Sequence, residues 1–134
     1  MIKALMTATK PNEQERYEGV TYEGCLANAQ IQWRFTPASL KKTTAGMIAG
    51  FPVVCCSAND DIDALCLKVM GNLGLKLIVM RNSNGKNVDM EAARQYGITV
   101  VSINGNSPQE TRAVINSIIE WQENGKSSTG TLLL

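Results

Sequence analysis

Between Leu73 and Val101 the chain reads LGLKLIVMRNSNGKNVDMEAARQYGITVV, and this order of residues admits few folds. Leu75 to Met80 is an apolar run broken only by Lys76, which suits a strand covered on both faces. Arg81 to Lys86 is polar, and Asn87 stands where a helix N-cap is expected, ahead of Val88, Met90, Ala92 and Ala93. Tyr96-Gly97 ends that helix, and Ile98 to Ile103 is a second apolar run. Strand, helix and strand at this spacing give the crossover that a parallel pair needs.

The rest of the chain supplies further units of the same kind. Ile2 to Met6 reads as a first strand, and Thr7 to Gly19 as a loop with a solvated helix that Pro11 can start. Gln30 to Phe35 alternates, with Ile31, Trp33 and Phe35 on one side, as in a half-buried edge strand. Thr36-Pro37 reads as a cap and first helical position, with Leu40, Ala45, Met47 and Ile48 as a loose apolar face before Gly50. Val53 to Cys56 is a third strand, followed by a helix opened at Asn59-Asp60-Asp61 and carrying Ile62, Leu65, Cys66, Val69 and Met70 at helical spacing. Asp60 and Asp61 are expected to cap that helix in solvent, where its dipole favours acids. Ser107-Pro108 opens a last helix through Ala113, Val114, Ile118, Ile119 and Trp121, closed near Gly125. Residues 1–125 are thus expected to form one domain, and 126–134 a polar, flexible tail.

Composition removes whole classes of function. The 13 Lys and Arg against 12 Asp and Glu leave no basic field for nucleic acid. No window approaches the roughly 18 apolar residues of a membrane span, and the start lacks the ordered regions of a signal peptide, so a cytoplasmic location is expected. Cys25, Cys55, Cys56 and Cys66 are expected to be reduced, and neighbours such as Cys55 and Cys56 point to opposite faces of a strand. There is no histidine, which removes the usual acid or base at neutral pH, the Ser-His and Cys-His pairs, and most zinc sites; no metal is expected, and no catalytic residue is assigned.

Five strands alternating with helices predict an α/β fold, a flavodoxin-like doubly wound parallel sheet of order 2-1-3-4-5. Ligands of such sheets sit beyond the carboxyl ends of the strands, here Thr7 to Lys10, Ser57 to Asp60, Arg81 to Asn87 and Asn104 to Ser107. The loop after the first strand has no glycine and little resemblance to a flavodoxin phosphate loop, so no cofactor is assigned, although a flavodoxin-like signalling or FMN-binding module stays open as an alternative.

The order of apolar strand, Arg81-Asn82, polar turn, Asn87-Val88-Asp89, helix ending Tyr96-Gly97-Ile98, strand and Asn106-Ser107-Pro108 resembles the substrate domain of the D-isomer-specific 2-hydroxyacid dehydrogenases, the D-lactate dehydrogenase subgroup most of all. Ile2 to Pro11 and Val53 to Leu67 resemble that subgroup's first strand and loop, and its third strand, turn and helix. The resemblance implies NAD-dependent chemistry on a small 2-oxo or 2-hydroxy carboxylate, held by backbone amides at Ser83 and Asn84. Here the family's glycine is displaced from position 84 to Gly85, and Asn106 replaces an aromatic residue.

The family's nucleotide-binding domain, with its Gly-rich turn and catalytic histidine, has no counterpart in these 134 residues. Ala113-Val114 stand where the family tends toward Glu-His. The expected function is therefore a non-catalytic relative of the substrate domain, a pseudoenzyme binding a small carboxylate or a protein partner. The alternative is a truncated piece of a D-lactate dehydrogenase-like oxidoreductase. Without a second domain, the helix over 108–124 must fold back over the sheet or pair with another copy; Ile115, Ile118, Ile119 and Trp121 are the expected interface of a homo-oligomer or partner complex.

Overall fold

The computed structural model describes residues 2–22, 31–82, 85–104, 109–124 and 131–132, with the side chains of residues 18–22, 109, 124 and 131–132 left aside. The expected sheet is present. Strands β1 (Ile2–Met6), β2 (Ile31–Phe35), β3 (Val53–Ser57), β4 (Leu77–Arg81) and β5 (Thr99–Ile103) run parallel in the order 2-1-3-4-5. A sixth short strand, β6 (Thr131–Leu132), pairs antiparallel with β5, so part of the stretch expected as a flexible tail extends the sheet.

Helices cover both faces, which is why β3 and β4 read as continuous apolar runs. On one face α2 (Ala64–Asn72) and α3 (Met90–Gln95) pack over Leu5, Val54, Cys56, Ile78, Met80 and Val100. On the other, α1 (Glu13–Tyr22) and α4 (Gln109–Asn124) cover Ala4, Met6, Cys55, Val79, Val101 and Ile103. Cys55 and Cys56 therefore lie in different cores, as alternation requires, and with Cys66 they are buried free thiols. Cys25 lies outside the described residues.

The helix stops follow the glycines. Gly74 and Gly97 take positive φ of 96° and 68°, and the next residues, Leu75 and Ile98, donate back to Met70 and Ala93 carbonyls at 3.0 and 2.9 Å. The starts differ from expectation. Asp89, not Asn87, caps α3 by accepting from the Ala92 amide, and Asp63 caps α2 by accepting from Cys66, so α2 begins later than the Asn59-Asp60-Asp61 signal suggested. The region after Thr36-Pro37 forms only a 3₁₀ turn, Ala45–Ile48, whose Ala45 and Ile48 are enough to fill the core edge beside α2.

The last helix takes the intramolecular course. Val114, Ile115, Ile118 and Ile119 of α4 are buried against the sheet, and Trp121 packs half-buried on the same cluster. Of the residues expected at an interface, Ile115, Ile118 and Ile119 are thus buried within one chain and Trp121 is half-buried. Among the described residues no helix is long and apolar enough to cross a membrane.

Candidate functional site

At the carboxyl ends of β1, β3 and β4 the chain leaves a cleft of about 510 Å³, lined among others by Lys10, Glu13, Arg16, Asn59, Arg81 and Glu110. Parallel strands end together here, and each turn must leave the sheet at once. Three non-glycine residues with positive φ, Ala8, Asn12 and Asn82, lie in the turns after β1 and β4 that border this cleft.

Arg81 organises the cleft. It is the last residue of β4, on the same side of the strand as Leu77 and Val79, so its side chain rises toward α1. Its Nη1 meets Glu13 Oε2 at 2.5 Å, its Nη2 donates to the Thr7 carbonyl at 2.5 Å, and its Nε donates to the Cys56 carbonyl at 3.3 Å. Glu13 also accepts from the Lys10 amide at 2.6 Å and lies 3.6 Å from Arg16 Nη2. With side-chain exposures of 5% and 8%, Arg81 and Glu13 form a buried, hydrogen-bonded ion pair tying β4 to α1 and to the ends of β1 and β3. The helix expected to be solvated is instead anchored by a buried carboxylate.

Glu110, in the first turn of α4, is the second buried carboxylate of the cleft, 7% exposed. Its Oε1 accepts from the Tyr17 hydroxyl at 3.2 Å and its Oε2 from Asn82 Nδ2 at 2.6 Å. Burial first, and then the neighbouring Glu110 charge, push the Tyr17 phenol far above its usual range, so it stays protonated and donates. Tyr17 is held edge-on against Trp33, with ring centroids 5.5 Å apart. Arg16 Nε donates to Thr111 Oγ1 at 2.9 Å, so α1 and α4 meet through polar groups at the cleft and apolar ones beneath it.

Asp60 differs from its expected role. It is 2% exposed and caps no helix in solvent. It accepts from Thr7 Oγ1 at 2.9 Å, from the Ser57 amide at 2.7 Å and from the Leu40 amide, joining three crossings of the sheet at one carboxylate. Asp61 is exposed, as expected. Asn87 braces this corner by donating to the Ser57 and Asp60 carbonyls at 2.9 and 2.7 Å.

Of the residues the sequence marked for a carboxylate, Ser83, Asn84 and Asn106 lie outside the described residues. Gly85 is described; it is buried, has φ of 86°, and its carbonyl accepts from the Val88 amide at 3.0 Å. Asn82, directly before them, lines the cleft. Arg81 belonged to the Arg81-Asn82 pattern of the sequence, but its pairing with Glu13 and that of Tyr17 with Glu110 did not show there: the partners stand 68 and 93 positions apart, beyond the reach of any local pattern. Cys55, Cys56 and Cys66 are buried and do not line the cleft. Burial pushes Cys55 up to about 12 and Cys56 well above its usual value, so neither is a nucleophile at neutral pH.

A sequence model of the D-isomer specific 2-hydroxyacid dehydrogenase catalytic domain matches residues 4–112, from β1 into the first turn of α4. The chain belongs to the D-isomer specific 2-hydroxyacid dehydrogenase family. It is 38% identical over 101 residues to 2-hydroxyacid dehydrogenase homolog 1 of Schizosaccharomyces pombe, a match covering 75% of this chain and 29% of that protein. In structure it is similar to the apo form of D-lactate dehydrogenase from Escherichia coli, with a TM-score of 0.70 and 24% identity over 87% of this chain and 36% of that one. It is similar also to Salmonella D-lactate dehydrogenase, with a TM-score of 0.69 and 25% identity over 95% of this chain and 40% of that one. The chain thus spans about 29% of the curated relative's length and 36–40% of these structures.

The family implies a dinucleotide, and the described rim does not fit one. The turns after β1 and β3 contain no glycine, the described part of the turn after β4 contains only Gly85, and Glu13 and Glu110 line the cleft where a pyrophosphate would need donors.

Proposed function

We propose that these residues form a binding domain for a small 2-oxo or 2-hydroxy carboxylate that does not itself transfer hydride. The observation that carries this reading is the cleft at the carboxyl ends of the strands, where Lys10, Arg16 and Arg81 gather beside Asn82, the residue leading into the turn at Ser83, Asn84 and Gly85. The family resemblance assigns carboxylate binding to the amides of that turn. The two carboxylates of the cleft leave the three cations a formal surplus of one, which suits a monocarboxylate. With no histidine among the 134 residues and no dinucleotide cradle on the described rim, hydride transfer would need groups from elsewhere.

Thermal melting of the 134-residue chain with pyruvate, D-lactate, FMN and NADH in turn tests the reading. A carboxylate at about 100 times its dissociation constant stabilises the fold by about 2.7 kcal/mol. Stabilisation by either acid supports the proposal; none from either overturns it, and stabilisation by FMN alone would favour a flavin module instead. A second reading, that the chain is the substrate portion of an NAD-dependent D-lactate dehydrogenase-like enzyme, draws support from the match to the catalytic domain alone and from the 29% coverage of the relative. Its test is NADH oxidation in the presence of pyruvate. Turnover by this chain alone would contradict the non-catalytic proposal.

A further inference from the structure

Among the described residues three carboxylates are buried, Glu13, Asp60 and Glu110, and the fold satisfies them unequally. Glu13 pairs with Arg81 at 2.5 Å and lies 3.6 Å from Arg16. Asp60 has no cation, but it takes the Thr7 hydroxyl and the Ser57 and Leu40 amides, and it does not line the cleft. Glu110 accepts one hydrogen bond on each oxygen, from the Tyr17 hydroxyl and the Asn82 side-chain amide, and both donors are neutral. It has no ion pair among the described residues, where both pairs belong to Glu13. An ionised carboxylate offers about four lone-pair sites, so about two stay open on a buried side chain that lines the cleft. The dipole of α4 offsets part of the charge, yet buried charges are ordinarily paired. Water fills the open sites and leaves the charge; a cation fills them and cancels it.

The rest of the cleft decides what kind of cation fits. Glu13 and Arg81 neutralise each other, which leaves Lys10 and Arg16 as the other charges on the lining. Lys10 is exposed and forms no ion pair among the described residues. A bare cation meets repulsion from these two, whereas a molecule that also carries a carboxylate turns the repulsion into attraction. A bound metal is disfavoured, because among the described residues no three acids or thiols gather to hold one. We propose that the cleft takes a small zwitterion, an amino acid, whose ammonium group is the counter-ion of Glu110 and whose carboxylate faces Lys10 and Arg16. This adds a ligand class to the reading above and uses only charges on the described lining, not the turn beyond Asn82.

The test measures dissociation constants of glycine, β-alanine and 4-aminobutyrate for the full 134-residue chain by calorimetry at constant ionic strength, each beside its amine-free counterpart, acetate, propionate or butyrate. The three compounds differ in the spacing of their charged ends, so the separation of the two halves of the site is sampled as well. At least one amino acid is expected to bind about tenfold more tightly than its counterpart, as a hydrogen bond between charged groups gives. Glu110→Gln abolishes that advantage and leaves the plain acid's affinity as it was, while a merely structural role would weaken both alike. The exposed Asp61→Asn keeps the advantage; its loss there would mean non-specific attraction and overturn the inference. Should Glu110→Gln fail to fold, the comparison on the native chain decides. Counterparts that bind as tightly as all three amino acids overturn this inference and leave the carboxylate reading standing, and no binding by any of the six compounds overturns it as well.

Discussion

The buried pair between Arg81 and Glu13 makes the most exacting test of how the rim is held. Glu13→Leu removes the charge that compensates Arg81 and leaves a guanidinium, 5% exposed, facing two backbone carbonyls. Arg81→Met leaves the Glu13 carboxylate with the Lys10 amide and the more distant Arg16. Breaking a buried pair from either side costs about 3–5 kcal/mol, because the survivor stays charged in a poor solvent. Removing both charges with Glu13→Leu and Arg81→Met avoids that penalty. The double variant still strips the Thr7 and Cys56 carbonyls of a donor, at about 1–3 kcal/mol.

The two single losses sum to about 6–10 kcal/mol against about 1–3 for the double, so the cycle returns a coupling of at least about 3 kcal/mol. Urea titration is the suitable assay, since guanidinium salt would screen the charges being measured. An unchanged slope with a lower midpoint would show that stability alone has moved. Strictly additive losses, or single variants within about 1 kcal/mol of the native chain, would refute the account of Arg81 as a buried tie.

Other parts of the structure make separate predictions. Asp60→Ala strands the Ser57 and Leu40 amides and leaves the Thr7 hydroxyl only the Cys55 carbonyl, and urea unfolding should report a loss of about 3 kcal/mol, whereas the exposed Asp61→Ala should change little. Asp89→Ala removes the cap of α3 and should cost about 1 kcal/mol; a free Ala92 amide with no loss would place the stability of α3 in its packing alone. Burial holds the Cys55 thiol at about 12 against an ordinary 9.0, so the folded chain binds its proton more tightly than the unfolded one. That contribution is fully present below pH 9 and is lost as pH rises toward 12, at up to about 1.4 kcal/mol per unit. Cys55→Ala should lack this part of the alkaline decline, and parallel urea midpoints for both proteins from pH 8 to about 10.5 would contradict it.

The fold was legible because its strands announce themselves locally. β3, β4 and β5 are short apolar runs, and the glycines at 74 and 97 close helices by a backbone conformation that few other residues adopt. Helix starts were less legible for a physical reason. Asn, Asp and Ser at a turn can cap a helix, brace a neighbouring carbonyl or hold a loop amide, and the sequence does not say which. Asn87 and Asp60 went to bracing, while Asp89 and Asp63 took the caps. The stretch after Thr36-Pro37 had a helical signal of four scattered apolar residues, too weak to outcompete a 3₁₀ turn that buries Ala45 and Ile48.

The site itself was legible as a place and not as a set of contacts. Strand order fixed where a crevice opens, and the turn after β4 carried the family's pattern, but the charges around it pair across long stretches of chain. That pairing bears on how a ligand could be held. In the fold the Arg81 Nη1, Nη2 and Nε each give one donor, to Glu13 and two carbonyls, and each terminal nitrogen carries a second N–H. An incoming carboxylate that took the donor bonded to Glu13 would have to displace a buried carboxylate, at a cost comparable to breaking the pair. With Arg81 tied chiefly to Glu13 and the ends of β1 and β3, it is expected to act as a positioning residue, so a conservative Arg81→Lys variant that folds should weaken D-lactate and pyruvate by the same factor and leave their ratio untouched.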